Sequence, residues 1–170
     1  MTTQTAHSTT LDQPTKTNVQ NHGQALYKEM LTNFDYGQIR WTIRRYNPEI
    51  TEDRADEMIH AFLQWMALAP LNTPERYVVM FNTPVEEAFH NFVLNTRLYG
   101  KFCTQFLGYF FHHDPLTQER GPEVEPLAKY TIELLQAKYG DELHPLLQDW
   151  VRQFHDGTYH VACVGPGGHC

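Results

Sequence analysis

The chain reads as a single all-α domain, and three observations carry that reading. Residues 52–68 place Ala55, Ile59, Phe62 and Met66 on one helical face, with Met58 and Trp65 on its flank. Thr83-Pro84-Val85-Glu86 is a strong helix start, and the apolar stretch it opens continues to about Gly108. Against these stands one β-favouring run, "YVVMF" at 77–81, too short and too isolated to found a sheet. The expected layout is a disordered tail over 1–23, a compact helical domain over 24–155 around the central long helix, and an irregular Gly/Cys/His-rich segment over 156–170.

Each element follows from local chemistry. The first 23 residues are rich in Thr, Gln, Asn and Ser, so ordering them costs more entropy than their burial returns. From Gln24 a helix is expected, with Leu26, Met30 or Leu31, and Phe34 about one turn apart. "YGQIRWTIRRYN" either extends it or forms a second short helix that ends at Asn47-Pro48. Thr51 caps the next helix, and Glu52 and Asp53 sit where its dipole favours acids. In the helix from 84, Thr83 caps, Pro84 occupies the first turn and Glu86 completes a capping box, with a bend placed near Asn95 or Gly100. At roughly 100° per residue, Val85, Phe89, Phe92, Thr96, Tyr99 and Cys103 share one face, while Leu94, Leu98 and Phe102 lie off it. A loop over 115–125 leads to a helix that starts at Pro126 and is closed by Gly140, and a shorter, Pro-interrupted helix follows over 141–154.

Composition excludes several function classes. A formal charge of −7 and a basic patch limited to Arg40, Arg44 and Arg45 speak against nucleic-acid binding, which needs clustered cations facing phosphates. There is no uncharged apolar run long enough for a membrane span, and the N-terminus lacks the basic start and apolar core of a secretory signal. A cytoplasmic setting is therefore expected, with the three cysteines as reduced thiols rather than a disulfide framework.

Chemistry concentrates in "VEEAFHNFVLNTRLYGKFCTQFLGYFFHHDP", residues 85–115. Of two Glu-x-x-His pairs, the one at Glu57 and His60 falls on the solvated side of its helix, which removes most of the case for a di-iron bundle. The pair at Glu87 and His90 shares its side with Leu94 and Leu98 on a helix covered from several directions, so His90 is either a satisfied core imidazole or a ligand or proton carrier. Glu86, one turn before His90, is a second carboxylate partner. Thirteen residues of straight helix hold His90 and Cys103 about 20 Å apart, so one ion takes both only if the chain breaks between them. Cys103 by itself reads as a small buried thiol. Of the adjacent His112 and His113, one is structural or exposed while the other has a role. The tail adds His160, Cys163, His169 and Cys170, donor types that soft or borderline metals accept, although Cys-x₅-His-Cys is no standard zinc spacing. This tail is either a flexible end with two exposed thiols, or it folds back and brings its thiols to His113 or Cys103.

On Glu86-Glu87, Phe89-His90, Phe92, Leu94, Thr96, Tyr99, Phe102-Cys103, Phe106, Gly108, His112-His113 and Pro115, with "FLQWMALAP" upstream, the chain resembles the glycine-rich domain-containing protein-like family. It departs at Phe89, where that family commonly has Trp. The resemblance implies His90, Tyr99, Cys103 and His112 or His113 as candidate functional residues and no established reaction. Long Gly-rich extensions with nucleic-acid and stress roles are not carried over.

Two functions from different classes remain. The first is a small cytosolic metal-binding or thiol-dependent accessory factor, with zinc or another transition metal held by donors among His90, Cys103, His112, His113, Cys163, His169 and Cys170, and with Glu86, Glu87 and Tyr99 as supporting polar groups. The second is a non-catalytic module that binds another protein and uses its His and Cys in packing. An enzyme with His90 as general base is a third, weaker option.

Overall fold

A computed structural model describes residues 16–115 and 124–164 of the chain. The described residues form seven α-helices and three short strands: α1 (Lys16–Thr32), α2 (Gly37–Tyr46), α3 (Glu52–Met66), β1 (Val79–Phe81), α4 (Pro84–Leu94), α5 (Thr96–Phe106), β2 (Asp114–Pro115), α6 (Val124–Tyr139), α7 (Pro145–His155) and β3 (Val161–Val164). The fold is mostly helical, as the apolar periodicity predicts, and one core cluster runs through all seven helices and β1. The helix α1 begins at Lys16, within the stretch expected to be a tail; residues 1–15 lie outside the described residues.

Local signals place most elements. Thr51 caps α3 by accepting a hydrogen bond from the Arg54 amide at 3.2 Å, and Ala55, Met58, Ile59, Phe62, Trp65 and Met66 are all buried, as the helical stripe requires. In the first Glu-x-x-His pair Glu57 is exposed and pairs with Arg54, while His60 is half-buried. Gly140, at a φ of +50, ends α6 in the left-handed backbone that glycine tolerates. Pro145 does not interrupt α7 but starts it, with His144 Nδ1 accepting the Leu146 amide at 3.2 Å.

Two expectations need correction. The central helix is not one rod: Asn95, at φ −85 and ψ 58 and one of the two positions where the sequence places a bend, divides it into α4 and α5. Its side chain causes the break by local competition with the backbone. Asn95 Nδ2 donates to the Asn91 carbonyl at 2.8 Å, the acceptor a continuing helix would give to the Asn95 amide, and also to Thr42 Oγ1 at 3.1 Å. Gln38 Nε2 donates to Asn95 Oδ1 at 2.9 Å, so α2 holds the break from outside. In consequence α5 folds back on α4. Ten residues of straight helix span about 15 Å, yet the rings of Phe92 and Phe102 have centroids 5.0 Å apart.

The second correction concerns the strands. The run at 77–81 does found a sheet, because the C-terminal segment expected to be irregular supplies its partner. The strand order is β1-β3-β2, both pairings antiparallel, with Met80 opposite Cys163 and Pro115 also opposite Cys163. The sheet is tied to the helices by Trp65 Nε1 donating to the Val79 carbonyl at 2.9 Å and the Val79 amide donating to Thr131 Oγ1 at 2.9 Å. On its far side Phe81 stacks between Trp150 and Tyr159, each centroid 5.0 Å away.

Candidate metal centre

The start of α4 stands directly after β1, and the segment 111–113 leads directly into β2, so the small sheet brings the two together. Glu86 Oε1 and His113 Nε2 meet at 3.3 Å. His90, one turn on from Glu86 along α4, completes a set whose ligand atoms all lie within 4.8 Å of one another. Its ring meets that of His113 edge-on, centroids 5.8 Å apart. Ligands about 2.1 Å from a tetrahedral zinc stand roughly 3.4 Å apart, so the Glu86–His113 edge already has the spacing such an ion needs. Glu86 and His113 are half-buried and His90 is exposed, which leaves the set open to solvent on the His90 side.

That exposure corrects one expectation. His90 does not face the interior, because Leu94, which shares its side of α4, is 57% exposed. Glu86, expected to close a capping box, instead directs its carboxylate at His113, and Thr83 Oγ1 caps α4 through the Val85 amide while accepting Trp150 Nε1 at 2.8 Å. Glu87 is engaged elsewhere, because its carboxylate accepts Asn47 Nδ2 at 2.9 Å and Asn91 Nδ2 at 2.7 Å, joining α2 to α4.

Tyr99 and Cys103 lie beside the site rather than in it. Both are buried. The Tyr99 hydroxyl donates to the Phe111 carbonyl at 2.5 Å, and the Cys103 thiol interacts with the Phe111 main chain and with Tyr99. They thereby pin the backbone two residues before His113. Phe111 itself is buried against Trp65 and Phe89, and Phe89 meets the His113 ring at 4.9 Å. Periodicity signals none of this, since the contact joins α5 to a segment with no regular structure. His112 sits against Phe110, centroids 5.1 Å apart, and stands outside the Glu86 contact, so of the two adjacent histidines His113 is the one at the cluster. Removing the hydroxyl in Tyr99→Phe should cost about 1–3 kcal/mol, because a buried carbonyl loses its donor. Chemical denaturation measures this, and a loss well under 1 kcal/mol would show that the Phe111 carbonyl finds another partner.

The described thiols are free and buried. Burial pushes the Cys103 thiol up, partly opposed by the Phe111 main chain and Tyr99. Burial, then the Glu86 and Asp114 carboxylates, push the Cys163 thiol up. A nucleophilic thiol needs the opposite shift. His169 and Cys170 lie outside the described residues.

A family model described as UCP032817-like matches residues 27–123, more than half of the 170-residue chain. The chain belongs to the UCP032817-like family. This match runs through the whole of 85–115, the stretch that suggested the glycine-rich domain-containing protein-like family, and it replaces that resemblance. In this UCP032817-like protein Glu86, His90 and His113 all fall inside the matched region, whereas Cys163 lies beyond it. No curated protein and no solved structure matches the chain. Among the described residues, no helix is long and apolar enough to cross a membrane.

Proposed function

We propose that this UCP032817-like protein binds one divalent transition-metal ion, zinc foremost, through Glu86, His90 and His113, and acts as a small metal-dependent accessory factor in the cytoplasm. The observation that carries the reading is the convergence of a carboxylate and two imidazoles from two chain segments 27 residues apart within 4.8 Å. Two imidazoles and one carboxylate form a donor set that borderline ions such as zinc accept. An ion held there would join α4 to the segment entering β2, across the junction of helices and sheet.

Native protein purified without a His tag is expected to carry close to one zinc per chain by elemental analysis. His113→Ala and His90→Ala should lose it. Adding zinc at about 100 times Kd to the metal-free protein should stabilise it by about 2.7 kcal/mol, a rise of roughly 5–11 °C in Tm for a chain of this size. Protein that neither holds nor is stabilised by zinc, cobalt, nickel or manganese would overturn the reading, leaving Glu86–His113 a simple hydrogen bond.

A second reading, a module that binds another protein, is favoured by a different surface. Trp41 is 64% exposed on α2, and Gln38, one turn before it, borders a shallow cavity of about 310 Å³ that Leu94 and Arg97 also line. Exposed Trp and Arg are the residue types that anchor protein interfaces. If this surface binds a partner, Trp41→Ala should weaken the complex at least tenfold without lowering Tm; equal recovery of partners by wild type and variant would count against it.

A further inference from the structure

We propose that Cys163 supplies a fourth, thiolate ligand to the ion held by Glu86, His90 and His113, so that the centre is closed by sulfur and not by water. This rests on the metal-centre reading above. Three separate observations bring the thiol to the site. Cys163 is the register partner of Pro115 in β2, so the sheet sets it opposite the chain two residues beyond His113. Cys163 is 1% exposed and free of any disulfide, so its sulfur faces the interior and not the solvent. The Glu86 and Asp114 carboxylates and the Tyr99 hydroxyl interact electrostatically with the Cys163 thiol.

The sulfur stands outside the set of atoms that lie within 4.8 Å of one another, so coordination needs Cys163 and that set to draw together. An interior flanked by carboxylates is unfavourable for a thiolate until a dication arrives, and the ion reverses that balance. On binding, the S–H bond breaks heterolytically, its proton leaves to water, and the sulfur–metal bond forms with no change in oxidation state. The consequence is functional. Three protein ligands leave a position for the water that hydrolytic zinc enzymes activate, whereas four protein ligands close the shell, as in structural sites. Sulfur also selects zinc and other borderline or soft ions over magnesium and manganese.

Cobalt substitution of the full-length protein tests this. Wild type with one equivalent of Co²⁺ should show visible d–d bands together with an intense near-ultraviolet sulfur-to-cobalt charge-transfer band. Cys163→Ser should keep the d–d bands, lose the charge-transfer band, and bind zinc more weakly by more than the ~10–100-fold that loss of an outer-shell partner costs. Should Cys163→Ser fail to fold, X-ray absorption on the wild-type zinc protein decides instead, through a sulfur shell at about 2.3 Å. In that case Cys170→Ser must retain the shell. Cobalt bound with d–d bands and no sulfur contribution would overturn the fourth ligand and leave the three-residue centre standing. A charge-transfer band that survives Cys163→Ser and disappears in Cys170→Ser would also overturn it. Absence of any cobalt binding would overturn both.

Discussion

Phe89→Ala is expected to destabilise the protein by about 3–5 kcal/mol, the range for removing a fully buried aromatic ring, and to lower Tm by roughly 6–20 °C for a domain of this size. Phe89 is fully buried at the centre of the aromatic core. It stacks on Phe62 at 5.4 Å and an interplanar angle of 17°, and it meets Trp65 at 5.5 Å and Tyr99 at 6.0 Å. These neighbours come from α3 and α5, so they cannot all collapse into the space the ring leaves, and the cavity contribution to the loss stays large. Phe89 also supports the His113 ring from inside. The variant should therefore bind zinc more weakly than wild type even below its lowered Tm, where it is still folded. Phe89→Leu, which keeps most of the apolar volume, should recover much of both losses. Urea denaturation of the three proteins measures the first effect, and zinc affinity well below the lowered Tm the second; a loss under about 1 kcal/mol in the alanine variant would mean that this core repacks freely.

Lys138→Met is expected to act in the opposite direction. Lys138 lies on α6 at 2% exposed, and among the described residues its Nζ has no hydrogen-bond partner. Gly23 of α1 makes room for it: a Cβ at that position would crowd Nζ far inside van der Waals contact. Burial pushes the Lys138 ammonium down to about 8, below the usual lysine value of about 10.4. Below pH 8 the folded and unfolded states both carry the proton, and the full cost of holding a charge in the interior is present. Between about pH 8 and pH 10.4 the unfolded state binds more protons than the folded one, so the cost is relieved and stability rises with pH. A shift of this size corresponds to about 3 kcal/mol, and a buried charge is often replaced by an apolar side chain of similar volume with a gain in stability. Lys138→Met should thus raise Tm at pH 7 by roughly 6–12 °C. The gap between variant and wild type should narrow steadily from about pH 8 to pH 10. Comparing the two proteins also cancels the opposite trend from the buried tyrosines. Tyr36, Tyr99 and Tyr139 are all pushed up by burial, and they lower stability above the usual tyrosine range in both proteins. A gap that does not change with pH would show that Lys138 is neutral or paired throughout.

The parts of this protein legible in its sequence are those decided within one or two turns of chain. Thr51 and Thr83 cap because a hydroxyl reaches an amide two or three residues on, and the α3 stripe is buried because its apolar side chains recur at the helical period. Glu86, His90 and His113 stand out as donors on residue type alone. Their grouping does not, for three reasons found far apart in the chain. Asn95 opens the central helix by taking the Asn91 carbonyl, near where the sequence places a bend, but the bonds to Thr42 and Gln38 that hold the break come from α2. β1 is a strand only because β3, about 80 residues later, pairs with it, and that pairing has no local signature. The choice of Glu86 over Glu87 follows from what each carboxylate meets. Both stand about one turn before His90, but Asn47 and Asn91 engage Glu87 and leave Glu86 to His113.

What the amino-acid order determined by itself is a mostly helical domain with a buried aromatic centre and a set of metal-type donors, because capping and amphipathic periodicity act through covalently near neighbours. Which donors meet and which imidazole is wetted were decided only when α5 folded back on α4 and β3 closed the sheet. Those contacts join residues tens of positions apart, and their energies depend on surfaces that exist only after the helices have packed.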